Sequence, residues 1–549
     1  MIPSQKMGAG SILWTIAKGV DKWLPPSLLD DPEEFLLRTP LQKVIKESPV
    51  RTALIIRGPK GDLFLKRYKI RGLMEKLKYF FAPSKAHREW VMAHLALRRG
   101  IPIPLPLAMG EARRGGVLKE AFLITQAISP SVPLIELVRE GGEKDYIFRA
   151  ARLIKKVHES GLFHQDLHAG NILVQKNEKN LYLIDLHRAM RVKGVSLDKR
   201  LWNLAQFFYS FRGRLSSEDK EAFLQLYDEG VDIFKEEFAK ALVKIKQMEE
   251  KIYRRHMKSR TKRCLKNSSG FFTLRRGGWQ IYSKRGWKFE ELLEMLEKHK
   301  DILTAKKEGL IKDDRRTAIT LFEFMGKRIC VKEYRYKDPL LKFKELIRGS
   351  KARKGWLKGN GLVVRGVAGI APLALLEHRK WHLPHEAFFI MDSPPGYIEL
   401  DRYMIRTSHL KNRIKKRAFI EALADFMAEL YRLKIAHRDL KTCNILVKEE
   451  DNKWEFGLID MDDVQLDKAL SKKKLIRELV QMNTSTPLFI DMRERMRFLI
   501  RYLKLIGRYR AKEIFSKVIN GSKGRELVYV SPKGDEIMHI DWEKVCRKQ

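Results

Sequence analysis

The chain is poor in cysteine. Its four, Cys264, Cys330, Cys443 and Cys546, stand far apart and form no C-x-x-C pair. That excludes a disulfide scaffold, argues against a zinc site and suits a reducing compartment. No uncharged apolar run reaches the roughly 18 residues of a spanning helix. The stretch from Ile12 to Ala17 is too short for a signal-peptide core. With Trp14 and Trp23 among Lys6, Lys18 and Lys22, it reads as an amphipathic helix, docked on the next domain or lying in a membrane interface. Acid is also scarce: 68 Asp and Glu against 110 Lys and Arg, a net +42. The excess is uneven, with 42 basic and 30 acidic residues in 1–250 against 68 and 38 in 251–549. Such a field favours an anionic partner: nucleic acid, an anionic membrane or a phosphorylated or carboxylated substrate.

What is present is enough apolar residue for a real core, 44% of 549 residues, and a length suited to two domains. The chain also repeats itself. GLFHQDLHAGNILVQ (161–175) followed by LYLIDLHRA (181–189) returns as KIAHRDLKTCNILVK (434–448) followed by FGLIDMDDV (456–464). Upstream, LFLKRYK carries Lys66 and ICVKEYRY carries Lys332, and at that same offset SKAHREW (84–90) aligns with SKARKGW (350–356). Each unit opens with short alternating strands, in the first KVIKES, TALIIRG and DLFLKRY, then a helix over 84–99, and continues mostly helical. Ser216 and Ser217 are candidate N-caps for the long stretch that follows them. Strands first and helices after make an α+β plan with a small sheet lobe and a larger helical lobe. The expected boundaries are an N-terminal extension at 1–35, one domain over 36–255, a second over 256–520 and a hairpin-like tail over 521–549. The segment 251–290, with 13 basic residues and one acid, reads as a junction.

The repeated H-x-D-x-x-x-x-N, followed by an apolar strand and a further Asp, is the pattern that phosphoryl transfer requires. One carboxylate orients the attacking hydroxyl and takes its proton, the Asn and the later Asp hold Mg²⁺ against ATP, and a strand lysine grips the phosphates. In the first unit these are Asp166, Asn171, Asp185 and Lys66; in the second, Asp439, Asn444, Asp460 and Lys332. His164 and His437 are expected to brace the loop, whereas His168 and Lys441 stand where a side chain reaches the transferred phosphate. Glu89, on the expected helix, is the natural partner of Lys66. Gly355 occupies its place in the second unit, which leaves Lys332 without that partner unless Glu345 or another acid supplies it. A glycine-rich loop is missing from both units; ESPVR (47–51) stands in its position in the first, and DDRR (313–316), or SSGFF (268–272) if the second unit starts earlier, in the second. The segments after Asp185 and Asp460 are too short to dock an extended peptide.

VIKES, LFLKRY, SKAHREW with GIPIPLPL, FHQDLHAGNILV and YLIDLHRA, and in the second half CVKEY, SKARKGW, AHRDLKTCNILV and LIDMDDVQL with LVQMNTS, resemble the lipopolysaccharide core kinase family of heptose and Kdo sugar kinases, over about 35–260 and 300–510. The resemblance implies tandem protein-kinase-like domains, ATP with Mg²⁺, and transfer to a sugar hydroxyl of a lipid-linked acceptor. It also implies a cytoplasmic protein, peripheral on the inner face of the inner membrane. Competing readings are an atypical Ser/Thr protein kinase and a basic pseudokinase scaffold on an anionic partner. The cluster YRRHMKSRTKRCLK (253–266) has few interleaved aromatics and no nucleic-acid module, which argues against nucleic acid.

Overall fold

The computed structural model describes residues 4–539, apart from residue 10, 40–42, 140–143, 231, 235–236, 337–344, 346–349, 368, 381–382, 408–411 and 532–533. Cys546 and the last residues of the tail lie outside the described residues, as do Pro532 and Lys533 of its expected turn. The chain divides into two compact units, Met1–Tyr253 and Arg254–Gln549.

The first unit opens on a seven-stranded antiparallel sheet. Its strands are β1 (Ser4–Ala9), β2 (Ile12–Ala17), β3 (Lys43–Ser48), β4 (Arg51–Gly58), β5 (Gly61–Lys69), β6 (Pro106–Arg114) and β7 (Val117–Gln126), in the order β1-β2-β6-β7-β5-β4-β3. Between β5 and β6 lies helix α1 (Lys85–Arg98), whose first turn is capped by Ser84 accepting the His87 N–H at 3.0 Å. The second unit repeats this plan with β8 (Phe271–Arg276), β9 (Trp279–Lys284), β10 (Leu310–Asp313), β11 (Thr317–Phe324), β12 (Lys327–Arg335), β13 (Ala371–Lys380) and β14 (Leu383–Asp392). Their order, β8-β9-β13-β14-β12-β11-β10, is the same permutation. The matching helix α2 (Lys351–Val364) is capped by Ser350 through the Arg353 N–H at 3.0 Å.

One segment departs from the sequence expectation, and a second carries more structure than was read in it. Residues 12–17 form a strand, not an amphipathic helix, because their apolar side chains alternate at the two-residue period of a sheet. Ile12, Trp14 and Ile16 face the core while Leu13 is exposed. Trp14 is fully buried and its indole N–H donates to the Leu29 carbonyl at 2.8 Å, so its ring is unavailable to a membrane interface. The basic segment 251–290 contains the boundary between the units, as read, and is itself structured: it ends the helix Phe238–Thr261 and then supplies β8 and β9. β8 is an edge strand, where Arg275 and Arg276 stay solvated.

The remainder of each unit is mainly helical around its own apolar core. Ser216 caps Ser217–Asp228 in a capping box with Asp219. The helical stretch then breaks, and the Asp228 carboxylate accepts the Ile233 and Phe234 N–H groups at 2.7 and 3.1 Å. At the far end, Glu526–Ser531 and Gly534–His539 pair as an antiparallel hairpin.

Candidate active site

In the first unit the H-x-D-x-x-x-x-N segment is held open by short pairings: Leu162–His164 with Ala189–Arg191, and Ile172–Gln175 with Asn180–Leu183. His164 ties the loop together, as expected of it. Its Nδ1 accepts the Asp166 N–H at 3.2 Å, so the hydrogen is on Nε2, which donates to the Asp185 carbonyl at 3.3 Å. Burial lowers its pKa to about 4, which keeps the ring neutral in this role. Asn171 donates its amide to the Asp166 carbonyl at 2.8 Å, leaving Oδ1 as an oxygen donor. Asp185 sits in left-handed backbone, φ 65 and ψ 43, a conformation uncommon outside glycine and more readily adopted by Asp.

Around Asp185 the charges converge from separate elements. Lys66 on β5 lies 2.6 Å from Glu89 of α1 and 3.0 Å from Asp185. Tyr68, two residues along β5, donates to the other Glu89 oxygen at 3.2 Å. Arg51, at the start of β4, reaches Asp185 at 3.3 Å, and His187 Nδ1 lies 3.2 Å from it. Burial opposes the Asp185 charge, but Lys66, with His187 and Arg51, outweighs it and holds the carboxyl well below the usual carboxylate range. The loop carboxylate Asp166 is paired with Arg188 at 3.0 Å. His168 Nδ1 accepts the Gly170 N–H at 3.1 Å and thereby caps the loop's own turn.

The second unit builds the same frame. His437 accepts the Asp439 N–H at 3.3 Å and donates to the Ile459 carbonyl at 3.1 Å; Asn444 donates to the Asp439 carbonyl at 2.7 Å. Asp460 is again left-handed, φ 50 and ψ 51. Lys332 on β12 lies 2.7 Å from Asp460, and Lys441 lies 3.4 Å from Asp439. Glu345 does not serve Lys332: it is buried elsewhere and accepts the Lys351 N–H at 3.3 Å at the head of α2. The second carboxylate at Lys332 is Asp462, at 3.6 Å. Burial works against the Lys332 charge, but Asp460 and Asp462 raise its pKa. Of the alternatives left open for Lys332, Glu345 is thus set aside and another acid takes the helix glutamate's place. The acid comes from the turn after Asp460 and not from the helix.

A sequence profile of the lipopolysaccharide kinase (Kdo/WaaP) family matches residues 42–227 and 360–502, together more than half of the chain. The chain belongs to the lipopolysaccharide kinase family. Each matched segment contains one of the two H-x-D-x-x-x-x-N loops. The chain is 26% identical over 212 residues to a 3-deoxy-D-manno-octulosonic acid kinase of Photobacterium damsela subsp. piscicida, covering 35% of this chain and 87% of that protein. It is 28% identical over 198 residues to the enzyme of the same description from Xylella fastidiosa (strain M12), covering 34% of this chain and 78% of the relative. Among solved structures it is similar to one described as "WaaP in complex with acyl carrier protein", at TM-score 0.32 and 18% identity, covering 44% of this chain and 94% of the other.

For a lipopolysaccharide kinase the structure thus brings Lys66, Glu89 and Asp185 into one cluster and Asp166 and Asn171 onto one loop, bridged by His164. In the second unit Lys332 and Asp460 meet, and Asp439, Asn444 and Lys441 share the loop. The sequence reading missed Arg51, His187, Arg188 and Asp462. Arg51 lies inside ESPVR, the stretch standing where a glycine-rich loop was sought, and a cation there was the available signal. Arg188 and Asp462 sit three and two positions past the motif aspartates, within the quoted segments. The oxygens of Asn171 with Asp185, and of Asn444 with Asp460, suit Mg²⁺, a hard cation that takes oxygen donors.

Proposed function

We propose that the chain is an ATP-dependent kinase that transfers the γ-phosphate to a sugar hydroxyl of a lipopolysaccharide or other lipid-linked core oligosaccharide. The observation that carries this reading is the Lys66 ammonium held between Glu89 and Asp185, on the same frame that presents Asp166. Glu89 orients Lys66, which grips the nucleotide phosphates when they displace Asp185 as its partner. Asp166 aligns the acceptor hydroxyl and takes its proton as that oxygen bonds to the γ-phosphorus. The bond from phosphorus to the β,γ-bridging oxygen breaks and ADP leaves. Arg188, beside Asp166, keeps that carboxylate fixed while it is charged and offers a cation to the transferred group. Asn171 and Asp185, like Asn444 and Asp460, would hold Mg²⁺, which when bound neutralises phosphate charge.

The basic surplus suits an anionic acceptor and peripheral attachment to the cytoplasmic face of an anionic membrane. No described helix is long and apolar enough to cross a membrane. The test is transfer from labelled ATP with and without purified lipopolysaccharide. Label is expected in the glycolipid and is expected to be lost in the Asp166→Asn, Asp439→Asn double variant. Label in polypeptide only, or full activity in that variant, would overturn the reading.

A further inference from the structure

The two units differ at three positions that move together. Position 89 is Glu in the first unit, and its equivalent at the same offset is Gly355. Leu123 pairs with Lys66 across β5 and β7, and Phe389 pairs with Lys332 across β12 and β14. The residue two past the motif aspartate is His187 in the first unit and Asp462 in the second. These are not independent losses. A Cβ at Gly355 would stand only 3.2 and 3.3 Å from the Phe389 ring and 3.9 Å from the Asp462 nitrogen. The larger ring therefore occupies the space next to the bare helix backbone. Asp462 makes the same two contacts as Glu89, at longer range: it is ion-paired with Lys332 at 3.6 Å and accepts the Tyr334 hydroxyl at 3.4 Å, where Glu89 meets Lys66 and Tyr68 at 2.6 and 3.2 Å. Its backbone carbonyl is fixed by the Lys358 ammonium of α2 at 2.9 Å.

We infer that Asp462 is the positioning residue for Lys332, and that the second unit is a second working nucleotide site rather than a site disabled by loss of the helix glutamate. The inference rests on the phosphotransferase reading above. In the first unit the lysine clamp joins two elements far apart in sequence, α1 and the turn at Asp185, so the clamp requires α1 in place. In the second, both carboxylates belong to one short turn, Asp460 and Asp462, and the clamp closes without a helix carboxylate. The second unit's clamp therefore takes no carboxylate from α2, which contributes instead the Lys358 ammonium that holds the Asp462 carbonyl.

The test uses the full chain carrying Lys66→Met and Asp166→Asn, which silences the first site. A fluorescent Mg²⁺–ATP analogue reports binding, and transfer to purified lipopolysaccharide reports turnover. In this background Asp462→Ala is expected to weaken analogue binding and to lower kcat by about 10²-fold, the cost of a misplaced catalytic group. Adding Gly355→Glu with Phe389→Leu, which rebuilds the first unit's arrangement, is expected to restore binding and turnover to within an order of magnitude of the parent. A purely structural role for Asp462 would not be rescued by a carboxylate delivered from a different element. Undiminished binding in Asp462→Ala overturns the inference, and so does failed rescue in a variant that retains the parent's circular dichroism. If the parent itself binds no analogue, the phosphotransferase reading of the second unit falls, a result distinguishable from either.

Discussion

Glu478 is a buried acid beneath the second catalytic loop, and replacing it by Gln should stabilise the second unit in a pH-dependent way. It lies on the helix Lys472–Ser485 and accepts the His437 N–H at 3.0 Å. Burial pushes its pKa up to about 8, opposed only in part by that N–H, Arg477 and Lys474. At the equivalent place the first unit carries Asn203, fully buried, which donates to the His164 carbonyl at 2.7 Å. An uncharged side chain there serves the matching histidine through its carbonyl rather than its N–H. The sign follows from the direction of the shift. The unfolded chain gives up this proton at an ordinary carboxylate pKa near 4.5, whereas the folded unit keeps it until about pH 8. Across that interval unfolding releases a proton, so stability falls as pH rises and the loss is complete above the folded pKa. At about 1.4 kcal/mol per pH unit, the deficit at pH 7 is about 3 kcal/mol. Glu478→Gln keeps the shape and the acceptor for His437 but removes the titration. The variant should match the parent at pH 4.5 and exceed it by about 3 kcal/mol at pH 7. Every cysteine lies after residue 253, so pulsed thiol labelling of the buried Cys264 through a urea series reads the second unit alone. A gain of equal size at pH 4.5 and pH 8, or none at pH 8, would refute the argument, because the effect would then be packing and not ionisation.

Two further outcomes are expected. Arg51→Met should weaken Mg²⁺–ATP binding to the first unit by about tenfold, roughly the 1.5–3 kcal/mol of one charge-assisted bond at its lower end, while the matching Thr317→Met in the second leaves affinity unchanged; photolabelling with mapping of the labelled peptide separates the units, and equal losses would remove Arg51 from the phosphate site. The chain should sediment with anionic liposomes at low salt and be released as ionic strength rises, since the attraction is screened over about 10 Å at 0.1 M; a chain that stays in solution at low salt would end the membrane proposal.

What was legible in the sequence is what a contiguous motif can hold. Asp166, Asn171 and His164 lie within one loop, and Asp185 follows on the next hairpin, so their mutual placement is nearly local and repeats intact at Asp439, Asn444, His437 and Asp460. Lys66 with Glu89 was readable because each lies on an element the pattern gives directly, a strand for the lysine and the helix over 84–99 for the glutamate. The strand β2 and the edge strand β8 were not, for different reasons. Ile12–Ala17 is short enough that period-2 and helical spacing both fit it. The basic residues of 251–290 hid a strand, because an edge strand solvates charges that a central one would have to bury. Asp462 and Arg51 escaped because alignment of two halves compares like positions, whereas a charge can be supplied from any element that reaches the same point.

That last fact explains what the duplication keeps and what it exchanges. Both units retain the features that shape the backbone: a left-handed Asp at 185 and 460, a His joining the loop to the chain beside that Asp, and an Asn closing the loop on the carbonyl five residues before it. The ionic partners are not kept by position. Lys66 has Glu89 and Asp185; Lys332 has Asp460 and Asp462. Asp166 has Arg188, whereas Asp439 has Lys441, because Asp463 stands in the place of Arg188. Each lysine still meets two carboxylates and each loop aspartate still meets one cation. A half-buried charge strongly disfavours losing its counter-charge but is nearly indifferent to which element delivers it. Backbone geometry is therefore tied to position, and charge balance is free to move among the elements that surround it.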